Sequence, residues 1–409
     1  MNGSVERLDW ADEPLGEIEL PGGPMRFRSG FGSGLSRRAG DPPGVVWAVG
    51  DRGPNIKVKT AVELYGLDRL DALAGEDGAK IMPRLDLGPA IAELRIAGGR
   101  VELVRSLRIA DSEGRPVSGL PIPGGAHMRH EPAFDLEGRK LRPDPSGLDT
   151  EGLAALPGGG FWVSDEFGPS LVRLDEDGRV LRRLIPEGTR LEGAAYPVEA
   201  SLPAIAARRQ INRGFEAITL SPDGKWLLLA FQSPLAHPDE EAHEQGRHVR
   251  LWRLDLESGA VSAQYLYPLD APETFLRDRA KGPIGRSDLK VSEMCWVGED
   301  SLLVLERGSE TTKIYRVTPS DEHRLPPEHL EVDTRPTIEE LDAGGQAQLP
   351  VLDKRLLFSS DEAPDVGADL EGMAVLSPSE LLLVSDNDFG VEGAETGFWR
   401  VRFDQPILD

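Results

Sequence analysis

Short apolar runs alternate with polar turns along this chain, and the pattern repeats. An acidic residue precedes a short apolar run, a turn follows, and a second apolar run ends in polar residues. The clearest copies are residues 151–170 (EGLAALPGGGFWVSDEFGPS) and 371–390 (EGMAVLSPSELLLVSDNDFG). Two more are 216–234 (EAITLSPDGKWLLLAFQSP) and 293–310 (EMCWVGEDSLLVLERGSE). A shadow copy, 32–55 (GSGLSRRAGDPPGVVWAVGDRGPN), carries Ser33 where the others carry Glu. Each copy predicts two strands around a turn. The intervening residues predict further hairpins. In 171–185 (LVRLDEDGRVLRRLI) and 248–269 (HVRLWRLDLESGAVSAQYLYPL) the bends fall on Glu-Asp-Gly and Glu-Ser-Gly.

Helical signals are few. Ser201 is a candidate N-cap for a short helix with Pro203 in its first turn. Residues 58–66 (VKTAVELYG) predict another irregular or helical insertion.

Self-similarity at intervals of roughly 65 to 80 residues marks a repeat architecture. The gap between Ser33 and Glu151 is long enough for one more unit, and 89–111 (PAIAELRIAGGRVELVRSLRIAD) reads as it. Four short antiparallel strands per unit describe a propeller blade. The expected fold is therefore all-β, a single β-propeller of six blades with four antiparallel strands each. A seventh is allowed if residues 318–358 hide one. Residues 1–30 read as a lead-in and 31–409 as the propeller domain, with insertions near 58–85, 197–212 and 318–350. Abundant Pro (33) and Gly (46) suit many short strands joined by turns.

The net charge of −24 argues against a nucleic-acid partner, because phosphate backbones need clustered Lys and Arg. It suits divalent cations, and it also suits plain solubility. One cysteine, Cys295, rules out an intrachain disulfide. No apolar run is long enough to predict a membrane span. The first residues, MNGSVERLDW, carry no signal-peptide core, so the chain reads either as cytoplasmic or as lacking a leader. Nothing sets an oligomeric state, and a monomer is the working expectation.

The repeated carboxylate is the main chemical signal. In a propeller, Glu151, Glu216, Glu293 and Glu371 would stand at the channel mouth. Converging unpaired carboxylates repel. Protonation or a bound cation relieves this, and an irregular ring of oxygens favours Ca²⁺. The opposing reading has each Glu accept backbone N–H groups and hold neighbouring blades together. A second acidic set ends the following strands: Asp51, Asn55, Asp165, Glu166, Glu306, Asp386, Asn387 and Asp388. Hairpin geometry predicts that Asp165 and Glu166 approach Glu151, and that Asp386 and Asp388 approach Glu371. Arg52, Lys57, Arg213 and Arg307 lie among these acids, either as counter-charges or as holders of an anionic substrate. His127 and His130 are candidate acid/base groups. No G-x-S-x-G elbow and no P-loop is present.

Residues 147–186, with 50–55 (GDRGPN), 212–235 (NRGFEAITLSPDGKWLLLAFQSPL) and 369–390, resemble the family described as esterase-like activity of phytase. The likeness runs from about Phe31 to Trp399. It implies a β-propeller, a phosphoesterase or phosphodiesterase role, and export to the periplasm or the medium. The family's acidic positions fall on Glu151, Asp165, Glu166, Glu216, Glu293, Glu371, Asp386 and Asp388. The chain departs from a uniform ring of acids at Ser33 and Gln232.

The leading reading is a Ca²⁺-dependent hydrolase of phosphate esters or phosphodiesters, taking a small anionic substrate. Glu151, Asp165, Glu166, Glu293, Asp386 and Asp388 would hold the metal. Glu216 or Glu371 would take a proton from water, and Arg52 or Arg213 would hold the anionic product. A lactonase or carboxylic esterase on a calcium propeller, and a non-catalytic binding module, stand as alternatives.

Overall fold

The computed structural model describes residues 3–124, 131–298 and 300–407. The fold is all-β with a few short helices. The strands form where apolar and polar residues alternate, and turns rich in Gly, Asp and Ser separate them.

Five sheets carry most of the chain. The first runs Gly34–Ser36, Val45–Gly50, Ala90–Ala97, Arg100–Arg108. The second runs Thr150–Ala155, Phe161–Asp165, Ser170–Leu174, Val180–Pro186 and, in parallel, Val198–Leu202. The third runs Phe215–Leu220, Trp226–Phe231, His248–Asp255, Val261–Pro268. The fourth runs Lys290–Val297, Ser301–Arg307, Thr312–Val317, Lys354–Ser359. In the fifth, Leu370–Ser377, Glu380–Ser385 and Phe398–Phe403 are completed by the N-terminal strand Gly3–Leu8, with Gly3 opposite Phe403 and Leu8 opposite Phe398. The first strand named in each sheet is its lead strand. The five lead strands touch one another in cyclic order, the fifth returning to the first.

Where six four-stranded units were expected, the described residues form five sheets of four or five strands. Residues 90–108 are the outer hairpin of the first sheet, with Val49 opposite Ile91. The hairpin has no lead strand of its own, and its apolar residues Ile91 and Leu94 are buried only because the hairpin extends an existing sheet. Residues 318–358 supply one outer strand to the fourth sheet, so no seventh unit is present among the described residues. Two small sheets complete the fold: the hairpin Pro14–Leu20/Gly23–Arg28, and a three-stranded patch of Ile56–Lys57, Lys80–Ile81 and Ala133–Phe134. The insertion at Val58–Tyr65 is helical, and Ala204–Arg208 is a single 3-10 turn.

Adjoining sheets are joined by shared apolar clusters. Trp47 and Val49 of the first pack with Phe161 and Val163 of the second. Phe215, Phe231 and Trp252 lie in the cluster spanning the second, third and fourth. Leu303 and Ile314 of the fourth meet Met373 and Trp399 of the fifth, and Leu382 and Phe398 of the fifth meet Val46 of the first. Each such side chain contributes about 1.5–3 kcal/mol by leaving water. Because sheet-to-sheet packing spreads around the whole arrangement, the starts of the lead strands are held together.

Candidate active site

A β-bulge interrupts the lead strand at the carboxylate position in the second, third and fifth sheets. Pairing slips between Thr150 and Leu153, between Phe215 and Ala217, and between Leu370 and Gly372. Glu151, Glu216 and Glu371 lie at these slips. A bulge adds a residue to one strand and re-aims its side chain. In the fourth sheet the slip falls on Ser292, and Glu293 is back in register opposite Leu305. The first sheet, with Ser33 before its lead strand, is regular. Gly152 permits the close approach of the second and third lead strands: a Cβ there would lie 2.3 Å from the Glu216 carbonyl oxygen.

The bulges gather a buried acidic cluster. Asp149, Glu151 and Glu166 each offer a carboxylate oxygen, all within 4.8 Å of one another. The Glu166 N–H donates to the Asp149 carbonyl at 2.9 Å, which fixes the spacing. Two carboxylates at that range repel by about 3 kcal/mol at an effective dielectric of ~20. Glu166 Oε1 and Glu216 Oε2 are buried without a hydrogen-bond partner. Asp149 Oδ2 faces Arg52 Nη2 at 2.5 Å but lacks hydrogen-bond alignment. Burial, then the neighbouring Glu216, Asp149 and Glu166, push the Glu151 carboxyl well above its ordinary range. Burial pushes Asp149 up to about 6 against the pull of Arg52. It pushes Glu371 up to about 7 against the pull of Arg307.

A second group, Asp51, Asp386 and Asp388, also brings its oxygens within 4.8 Å. Burial, then Asp149 and Asp388, raise the Asp51 carboxyl, so the two groups adjoin. The backbone around the site is strained: Asn212, Asp369 and Asp388 have φ of 52°, 48° and 47°. Such conformations persist only where the surroundings enforce them. Asp and Asn tolerate the left-handed region better than most residues.

Of the residues singled out in the sequence, Glu151 and Glu166 lie in the first cluster, Glu216 and Glu371 adjoin it, and Asp386 lies near Asp388 and Glu371. The structure uses three other predicted residues differently. Asp165 is fully buried and spent: Arg183 Nη2, the Ser170 hydroxyl at 2.8 Å and the Asp149 N–H at 2.8 Å all donate to it. It positions Asp149 and offers no free oxygen to a metal. Glu293 accepts the N–H groups of Leu35 at 3.0 Å and Met294 at 2.9 Å. It ties the fourth sheet to the first, because it stands one residue past the bulge. Arg52 is buried and held by Glu131 at 2.5 Å, by Asp149 and by Asn212, with its guanidinium over the Phe167 ring. It is a counter-charge inside the wall, not a free holder of product.

Glu306 serves another network: Tyr267, Lys354 and the Asp270 N–H all donate to it. Arg307 pairs with Asp369 at 3.0 Å and with Glu371. Arg213 reaches only the Leu289 carbonyl, at 3.5 Å. His127 and His130 lie outside the described residues.

The expectations above omitted Asp149, Glu131 and Lys290. Asp149 stands two residues before Glu151, just ahead of the lead strand, and the Glu166 N–H ties it into the cluster. Glu131 and Lys290 stand in stretches with no repeated acidic pattern, and only the assembled sheets bring them in.

The set fits a hard divalent cation. Ca²⁺ takes six to eight oxygens with loose geometry, and unpartnered buried carboxylate oxygens are what such an ion satisfies. Asp149, Glu151 and Glu166, flanked by Glu216, could hold it. No helix among the described residues is long and apolar enough to cross a membrane.

Comparison with known proteins gives the chain its context. An "Uncharacterized secreted protein" of Arthroderma benhamiae is 26% identical over 331 residues, 71% of this chain and 61% of that protein. The chain thus spans about three fifths of that relative's length. Among solved structures, a luciferin-regenerating enzyme aligns over 99% of this chain and 98% of its own at 11% identity and a TM-score of 0.36. The β-propeller domain of Myceliophteria thermophila Cps50 aligns over 95% and 99% at 12% identity and a TM-score of 0.32. The family described as esterase-like activity of phytase matches residues 29–389, and with that match over most of its length this chain belongs to the phytase-like family.

Proposed function

We propose that the protein is a Ca²⁺-dependent hydrolase of phosphate esters or phosphodiesters, built on a five-bladed β-propeller. The cyclic contact of five lead strands, with the N-terminal strand completing the last sheet, supports the propeller reading. The observation that carries the function is the buried group Asp149, Glu151 and Glu166 with unpartnered oxygens at Glu166 and, beside it, Glu216. These residues would hold the cation. When bound, it supplies a Lewis acid for the phosphoryl oxygen and acidifies a water.

The protein's own part is positional and acid/base. Arg52, Asp165 and Arg183 fix Asp149 from behind. Glu371, pushed up to about 7, exchanges a proton near neutral pH and suits the base that receives one from water. Membership of the family and the likeness to a relative named as secreted support export to the periplasm or the medium.

The test is calcium titration by calorimetry on chelator-treated protein, wild type against Glu151→Gln. It is followed by a screen of phosphomonoester, phosphodiester and lactone substrates with Ca²⁺ present. Binding that the substitution weakens, with calcium-dependent turnover of a phosphate ester, is the expected result. Turnover of lactones alone would move the protein to the carboxylic-ester class. No calcium binding by the wild type would end the metal reading.

A further inference from the structure

We propose that Arg213, Lys290 and Arg307 form an oxyanion subsite that receives the substrate's phosphate group beside the acidic cluster. The proposal deepens the phosphate-ester reading above and rests on it. Lys290 opens the lead strand of the fourth sheet, directly across from Arg307 on the neighbouring strand. Like charges facing each other in a sheet are unfavourable, so this pairing needs a reason. Arg213 arrives from the loop before the third sheet and puts Nη1 3.5 Å from the Leu289 carbonyl, one residue before Lys290. Three cations from two sheets thus converge in a protein of net charge −24.

Carboxylates account for only one of the three by direct pairing. Arg307 is buried and clamped by Asp369 at 3.0 Å, by Glu371 and, through Nε, by the Ser292 hydroxyl at 3.0 Å. The ammonium of the half-buried Lys290 makes no hydrogen bond or ion pair with any described residue, and the Arg213 guanidinium has only the long contact to the Leu289 carbonyl. Arg307, then burial, then Arg213 push the Lys290 ammonium down to about 8. Glu216 and Glu371 oppose that shift from further off. An Arg fork and a mobile ammonium are the pair of groups that match phosphate oxygens. The subsite adjoins the acidic cluster: Arg307 pairs with Glu371, and Glu166, then Glu216, are the carboxylates that act on Arg213. A phosphoryl group there would bridge the cationic side and a cation on the acidic side.

The test is binding of inorganic phosphate to chelator-treated protein by calorimetry at fixed ionic strength. It compares wild type, Lys290→Gln, Lys290→Arg and Arg213→Gln, with a parallel calcium titration of each. Wild type should bind phosphate. Lys290→Gln and Arg213→Gln should each weaken it roughly tenfold or more, as expected for loss of a charged hydrogen bond. Lys290→Arg should keep most of it, and calcium affinity should hold or rise. Wild type that binds calcium but not phosphate overturns the subsite and leaves the metal reading standing. Phosphate binding indifferent to both neutral substitutions also overturns it, and reduces the cations to counter-charges for Glu216 and Glu371. Phosphate binding sensitive to them in a protein that ignores calcium keeps the subsite and removes the metal.

Discussion

Asp165→Asn separates a structural carboxylate from a metal ligand. Asp165 and Arg183 are both fully buried, and Arg183 also donates to Ser170 Oγ at 2.8 Å, Gly147 O at 3.0 Å and Tyr196 OH at 3.2 Å. Asparagine keeps an oxygen for the Asp149 N–H, but it removes the charge and puts an NH2 where Oδ2 accepted from Ser170 and Arg183. The guanidinium is then buried without a counter-charge, a loss of about 3–5 kcal/mol. Against a total stability of roughly 5–15 kcal/mol, that is a large fraction. The assay is urea unfolding of metal-free protein followed by tryptophan fluorescence, with the double variant Asp165→Asn/Arg183→Met alongside. The double variant should recover much of the loss, because removing a whole buried pair costs far less than breaking it. An unchanged urea midpoint together with abolished calcium binding would refute the reasoning and make Asp165 a ligand.

Glu166→Gln should raise the stability of the metal-free protein at pH 7.5 by about 1–3 kcal/mol through relief of carboxylate repulsion. It should also remove the gain in melting temperature on adding calcium, and a destabilised variant that still responds to calcium would count against the cluster. The pH dependence has a definite sign. Glu371 keeps its proton in the folded protein up to about 7 and loses it near 4.5 when unfolded. Its contribution therefore favours the fold at low pH and is lost as pH rises through that window. The stability of Glu371→Gln relative to wild type, both metal-free, should climb by up to ~3 kcal/mol between pH 4.5 and 7.5. A flat difference between the two unfolding curves would contradict the raised carboxyl. Gly152→Ala should destabilise by about 1–3 kcal/mol, read as a lower thermal midpoint, since its Cβ would meet the Glu216 carbonyl at 2.3 Å and Ser164 Oγ at 2.8 Å.

Local patterns carried the sequence a long way. Alternation of apolar and polar residues set the strands, and the turn residues set the hairpins. The repeated Glu marked the starts of the lead strands, and hairpin geometry placed Glu166 beside Glu151. These features depend on neighbours in the chain, and a two-residue period is visible at that range.

The number of sheets was not visible, because the hairpin at 90–108 looks like an independent unit until its partner strand Val45–Gly50 is known. Nor was the fate of each charge. Glu293 differs from Glu371 by one position relative to a bulge, and that step turns a cluster carboxylate into a backbone tie. Asp165 and Arg52 look like site residues in sequence but are spent on Arg183, Glu131 and Asp149. Lys290 looks unremarkable in sequence and meets Arg213 only when the third and fourth sheets pack. Pairing of charges is decided by approach through space, across segments far apart in sequence. The sequence determined which residues could form strands and where carboxylates would gather; the tertiary structure decided which of those charges remain without a partner.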